Sequence, residues 1–162
     1  MKGKLTKDIT IPAPAAAVWE AYRSHELGRL VNKLLVDVIG RVEVVEGDGG
    51  VGSIVKLIFP PGTPGIGYLK EVFVEMDDQR RVKESKVLEG GFIHMGFDGF
   101  GFRLEVIEND AESSIVRSSV LYEIDDRKAE LVSLVSTEPL EIIGEAVGKY
   151  LVQKHKSTTT SN

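Results

Sequence analysis

Apolar and polar residues alternate at the start of the chain. Leu5, Ile9 and Ile11 share one parity, and Thr6, Asp8 and Thr10 take the other. This predicts a strand over 4–11 with one wet face. Pro12 and Pro14 stop it, since proline has no backbone N–H to donate. AAAVWEAY (15–22) then predicts a short helix, because alanine is the best helix former. Leu27, Leu30, Val31, Leu34 and Leu35 fall at i, i+3, i+4, i+7 and i+8, which predicts a second helix at about 26–35. From Asp37 to Glu123 the pattern is that of strands. Segments 38–46, 53–59, 68–76, 81–89, 100–108 and 114–124 are separated by GDGG, PPGTPG, DDQR, the glycine-spaced stretch 90–101 and ENDAE. These breaks are turn chemistry, and connections this short imply an antiparallel meander. After Asp125 the helical period returns. Leu131, Leu134, Val135, Ile142, Ile143, Ala146, Val147, Tyr150 and Leu151 form one stripe, with a bend expected at Pro139 and weak points at Gly144 and Gly148.

The order is therefore one strand, two short helices, six strands and one long helix. Strands run together and helices are segregated, which is α+β architecture. The long helix has an apolar stripe to cover, and the sheet is the only surface large enough. A strongly curved seven-stranded antiparallel sheet wrapped around that helix would leave a cavity between them. No linker or repeat divides the chain, so residues 1–156 are expected as one domain. STTTSN (157–162) is expected as a disordered tail.

Composition narrows the function classes. Apolar residues at 42% and charged residues at 28% suit a globular domain. With 20 Lys+Arg against 25 Asp+Glu, the net charge is −5, which argues against nucleic-acid and anionic-membrane partners. Cysteine is absent. Disulfides, thiolate metal sites and cysteine nucleophiles are thereby excluded, and a cytoplasmic location is expected. No apolar run reaches the ~18 residues of a membrane helix. His25, His94 and His155 lack ligand spacing, so no metal is expected.

GDGGVG (47–52) fits a dinucleotide-binding glycine pattern. That pattern requires a helix after the glycines, and here the strand SIVKLIF follows. The loop of Gly47, Gly49, Gly50 and Gly52 instead reads as a hairpin turn, with a weak anion-binding nest as the alternative. Lys83 in RVKESKV shares parity with Arg81, Ser85 and Val87, and alternation alone leaves its face open. Glu71 shares parity with Leu69 and Phe73, a costly setting for an unpaired carboxylate. A cross-strand ion pair and an acid–base couple are both compatible with Glu71 and Lys83. Phe92, Phe97, Phe100, Phe102 and Met95 can line a pocket or fill a core.

VEVVEGDGGVGS (42–53), KEVF (70–73) with RRVKE (80–84), VLEGGF (87–92) and STEPLEIIGEAVGKYLVQK (136–154) resemble, in order, the birch-pollen-allergen family, or plant pathogenesis-related class 10 proteins. MKGKLTKD, FPPGTPG (59–65) and LVSTEPL (134–140) are similar to the norcoclaurine synthase branch, which includes norbelladine synthase. The resemblance implies the helix-grip fold and a plant enzyme of alkaloid metabolism. That enzyme condenses a phenolic ethylamine such as dopamine or tyramine with an aldehyde through an imine, without a cofactor, as a monomer or weak dimer.

By the same resemblance Lys83 is the acid–base and carbonyl-binding group, Glu71 the base and Tyr68 a phenolic gate. Leu69, Phe73, Phe100, Phe102 and Met95 become cavity lining. Two departures stand out. Leu69 occupies the position of the synthases' tyrosine, with Tyr68 one residue early and so on the opposite parity. Phe102 stands where ring-closing synthases can carry aspartate. The alternative is a non-catalytic carrier holding a plant hormone, flavonoid or alkaloid in the same cavity, or a stress protein whose ligand is incidental.

Overall fold

The computed structural model describes the backbone of residues 1–160 and side chains through Lys156. Strand β1 (Lys2–Ile11) leads into helices α1 (Ala15–Tyr22) and α2 (Glu26–Leu34). Strands β2 (Arg41–Glu46), β3 (Ile54–Ile58), β4 (Tyr68–Asp77) and β5 (Val82–Gly90) follow. A one-turn helix α3 (Gly91–Met95) precedes β6 (Gly99–Asp110) and β7 (Ser113–Glu123). A stretch of 3₁₀ turns (Asp126–Leu134) then leads to α4 (Glu138–Thr160). All seven strands form one antiparallel sheet in the order β1-β7-β6-β5-β4-β3-β2. This is the α+β meander that the alternation predicts, with β1 carried across to pair with β7.

The C-terminal stripe is not one bent helix. Residues 126–134 form 3₁₀ turns interrupted at Lys128, where Asp125 accepts a hydrogen bond from the Arg127 N–H. A new helix starts at Glu138, with Pro139 in its first turn. Proline costs nothing there, since the first-turn N–H groups have no helical acceptor, so Pro139 opens α4 rather than bending it. Thr137 reinforces the start by hydrogen-bonding the Glu141 carboxylate at 2.9 Å. The backbone of α4 runs to Thr160, into the stretch expected as tail, and residues 161–162 lie outside the described residues. The glycines of α4 serve packing. A Cβ at Gly144 would stand 2.5 Å from Ile9 Cδ1, so the helix lies directly on β1.

The core falls into two groups. One joins α1, α2 and α4 to the β1–β7–β6 side through Trp19, Tyr22, Leu30, Val106, Val116 and Val147. The other gathers Leu69, Val87, Phe97, Phe100, Val120 and Leu140 at the end carrying α3. Tyr22, Val116 and Val147 are each 1% exposed or less. A fully buried side chain of this size contributes ~1.5–3 kcal/mol. These groups anchor α1 and α4 and leave the middle of the inner face uncovered.

Candidate active site

A cavity of about 820 Å³ occupies that middle. Val55, Phe73, Phe102 and Leu104 line it from the sheet, and Leu140 and Ile143 from α4. Into this apolar wall project Glu71 from β4, Lys83 and Ser85 from β5, and His25 from the turn between α1 and α2.

Strand registry decides who points inward. Ser85 lies opposite Phe73 on β4 and Phe102 on β6, while Lys83 lies opposite Met76 and Leu104. Glu84, between them, faces out and pairs with Arg103 at 3.1 Å, as does Glu75. The Arg103 guanidinium therefore holds Glu84 on the solvent face, and alternation turns Lys83 and Ser85 inward. On β4 the inward set is Leu69, Glu71 and Phe73, and Lys70 faces out to Glu89 at 3.1 Å. Two register shifts occur between β4 and β5, at Lys70/Glu71 and at Phe73/Glu75. The first inserts Leu88 on β5 and leaves the alternation of β4 intact; the second inserts Val74 on β4 and turns Met76 inward.

Lys83 is 6% exposed. Its Nζ donates to the carbonyl oxygens of Tyr22 at 2.9 Å and Ser24 at 2.8 Å. It also stands 4.5 Å from the centre of the Phe73 ring, a cation–π contact. Burial lowers the lysine to about 8, against the opposing pull of the Glu71 charge. Glu71 is held above the usual carboxylate range by burial, with the Lys83 charge and a Ser85 hydrogen bond pulling it back. Its remaining accessible surface opens on the cavity it lines. The two groups are coupled through space, and the lysine spends its hydrogen bonds on the α1–α2 turn rather than in a contact ion pair. Both are pushed toward neutrality, as proton-exchanging groups in a desolvated site are.

Of the other expected residues, Phe73 and Phe102 line the cavity. Leu69 and Phe100 do not; they belong to the second core group, where Phe100 stacks on Phe92 with ring centres 4.5 Å apart. Met95 ends α3 and is 44% exposed. Tyr68 is outside the cavity lining, with the Lys56 ammonium 4.7 Å from its ring centre. No β4 residue is inserted between Tyr68 and Glu71, so Tyr68 keeps the outward parity of Lys70. The loop glycines also stay clear of the cavity. Gly47, Gly49 and Gly52 have φ of +93°, +105° and +93°, a region open to glycine and costly elsewhere. They fold the β2–β3 hairpin so that the Gly49 N–H reaches Ser53 Oγ at 2.8 Å and the Gly47 carbonyl receives His25 Nε2 at 3.1 Å.

Sequence reasoning missed the carbonyls of Tyr22 and Ser24, Ser85 as a partner of Glu71, and His25 as a lining residue. Backbone acceptors carry no signal in residue type. Ser85 was visible only as a residue sharing the parity of Lys83. Among the described residues no group of three or more His, Asp or Glu side chains is placed to hold a metal ion, and no helix is long and apolar enough to cross a membrane.

Comparison with known proteins gives this geometry its context. Norbelladine synthase from Narcissus pseudonarcissus is 42% identical over 154 residues, covering 95% of this chain and 94% of the relative. S-norcoclaurine synthase 2 from Papaver somniferum is 33% identical over 156 residues, covering 95% and 67%. The X-ray structure of norcoclaurine synthase from Thalictrum flavum in complex with dopamine and hydroxybenzaldehyde superimposes with a TM-score of 0.85 at 26% identity, covering 94% of this chain and 88% of that one. The model of the pathogenesis-related protein Bet v 1 family matches residues 1–154. The match runs from the first strand through most of the last helix, and the chain belongs to the pathogenesis-related protein Bet v 1 family.

Proposed function

We propose that this protein condenses a phenolic ethylamine, dopamine or tyramine, with an aldehyde to give an imine and water. The observation that carries this reading is the pairing of Lys83 and Glu71. They are a buried lysine and a partly buried carboxylate on one inner face, with Ser85 between them and an apolar cavity in front. The relatives named above support the substrate class.

The amine nitrogen attacks the carbonyl carbon, and the carbonyl π pair moves to oxygen, which takes a proton from Lys83. The attacking nitrogen loses a proton to the Glu71 carboxylate, giving a neutral carbinolamine. Return of that proton to the hydroxyl releases water as the nitrogen lone pair forms the C=N bond of an iminium, and loss of the remaining N–H proton to Lys83 gives the neutral imine and restores the lysine. No electrons are exchanged with a cofactor. The cavity adds proximity and excludes bulk water, and the two residues move protons in the pH range where both can act. In a ring-closing continuation an aryl carbon attacks the imine carbon and Glu71 takes the aryl proton. Phe102, opposite Ser85, leaves that part of the cavity without a second carboxylate, which favours the imine as the released product.

The volume and the largely aliphatic and aromatic wall support a second reading, a non-catalytic carrier of a hydrophobic plant metabolite. One assay separates them. Dopamine and 4-hydroxyphenylacetaldehyde are incubated with wild type and with Lys83→Ala. Imine is trapped with cyanoborohydride, and cyclised product is resolved by chiral chromatography. Imine or single-enantiomer product above the uncatalysed rate, lost in Lys83→Ala, supports the enzyme. Background rates and racemate from both proteins refute it and leave the carrier.

A further inference from the structure

Ser24 has φ +57°, one of two non-glycine residues with positive φ among the described residues. It lies in the turn between α1 and α2, and its carbonyl is one of the two that receive Lys83. A serine is held in this conformation only when its surroundings dictate it, and the surroundings are specific. The Ser24 N–H donates to Met76 Sδ at 3.4 Å, and its Oγ lies 3.5 Å from the Asp48 carbonyl. Gly49 packs so closely against Ser24 that a Cβ there would collide with Oγ. The turn is thus pressed from one side by β4 and from the other by the glycine-rich hairpin.

The consequence falls on Lys83. Arg23 is extended, with φ −69° and ψ 155°, and the left-handed step at Ser24 follows. Together they bring the carbonyls of Tyr22 and Ser24 onto one point, 2.9 and 2.8 Å from Nζ. An ammonium has three N–H donors. Two are taken by the turn, and the third remains for the Phe73 face and the cavity.

We propose that Ser24 is the positioning residue of Lys83: its left-handed backbone fixes the two-carbonyl cradle that holds the ammonium and aims its one remaining N–H at the ligand. A cradled ammonium donates a single hydrogen bond and is a poor nucleophile toward an aldehyde, so the turn favours proton transfer by Lys83 over covalent capture. The other groups around Lys83 do not supply this. Glu71 on β4 acts through space, Ser85 on β5 serves Glu71, and β6 presents Leu104. From the turn, His25 meets the Gly47 carbonyl through Nε2 with its Nδ1 buried and unpartnered, and the Tyr22 phenol is buried in the core.

The test is the titration of Lys83 Nζ, followed by NMR in lysine-labelled, ligand-free protein. Ser24→Gly and Ser24→Asn accept the left-handed backbone and should titrate with wild type. Ser24→Val cannot hold it, and its midpoint should fall by about one pH unit, the size expected when an ion loses one hydrogen bond. If Ser24→Val does not fold, Ser24→Ala should show the same fall in smaller measure. A valine or alanine variant that titrates with wild type overturns the proposal. So does a glycine variant that shifts as valine does, because the hydroxyl rather than the backbone would then be at work. The proposal gains its catalytic meaning from the function above, but the titration uses no substrate. An absent condensation activity with the predicted titration pattern refutes the enzyme and leaves the cradle standing.

Discussion

Replacing Lys83 by methionine exposes the energetic consequence of burying its charge. In the unfolded chain the lysine keeps its proton to the ordinary 10.5, and in the folded protein it releases it at about 8. Between those values the unfolded chain binds more protons, so wild-type stability should rise as pH climbs from about 8 toward 10.5. Below about 8 the cost of the buried ammonium is borne in full. The gap is about two and a half pH units, which at ~1.4 kcal/mol per unit amounts to about 3 kcal/mol. Lys83 is almost fully buried, so little of this is lost to solvent screening.

Lys83→Met lacks the titration and keeps a similar volume. It also leaves the Tyr22 and Ser24 carbonyls without their donor, but that loss is nearly independent of pH. The quantity to measure is therefore the difference in unfolding free energy between wild type and variant, by urea denaturation across this range. Wild type should gain on the variant by about 3 kcal/mol between neutral pH and pH ~10.5. Two curves that stay parallel would show that Lys83 keeps an ordinary affinity for its proton, and the acid–base role argued from its burial would fall with them.

Three further outcomes are expected. Glu71→Gln keeps the shape and loses the base, so kcat should fall about 100-fold or more. An undiminished rate would remove Glu71 from the chemistry. Tyr68→Phe should leave the initial condensation rate within about twofold, because the phenol lies beside Lys56 outside the cavity lining; a tenfold loss would mean the ring swings inward during turnover. Gly90→Ala should destabilise the fold by about 2 kcal/mol in urea denaturation, since Gly90 has φ +80° and a Cβ there would meet the Tyr68 carbonyl oxygen; unchanged stability would show that the β4–β5 junction yields easily.

Much of this protein is written locally. Alternation specifies seven strands, and the stripe of Leu27, Leu30, Val31 and Leu34 specifies α2, because a half-buried element must place its apolar residues at its own period. The outward parity of Tyr68 is of the same kind: with no residue inserted in β4 before Glu71, a one-residue offset has only one outcome. The outward placement of Glu84 and the inward placement of Lys83 are different. Alternation says only that the two differ, and Arg103, nineteen residues further on, selects between them once β5 and β6 are paired.

Pro139 shows how one residue reads differently with its boundary known: it breaks a helix from inside and opens one from its first turn. The cavity, the cradle and the proton affinities of Lys83 and Glu71 belong to tertiary structure alone. Tyr22 and Ser24 reach Lys83 across 61 and 59 residues of sequence, through carbonyl oxygens that every residue possesses. Periodicity determines which face is apolar. Only the packed chain decides which backbone acceptors meet a buried charge, because desolvation and hydrogen bonding depend on distances that sequence neighbours do not set.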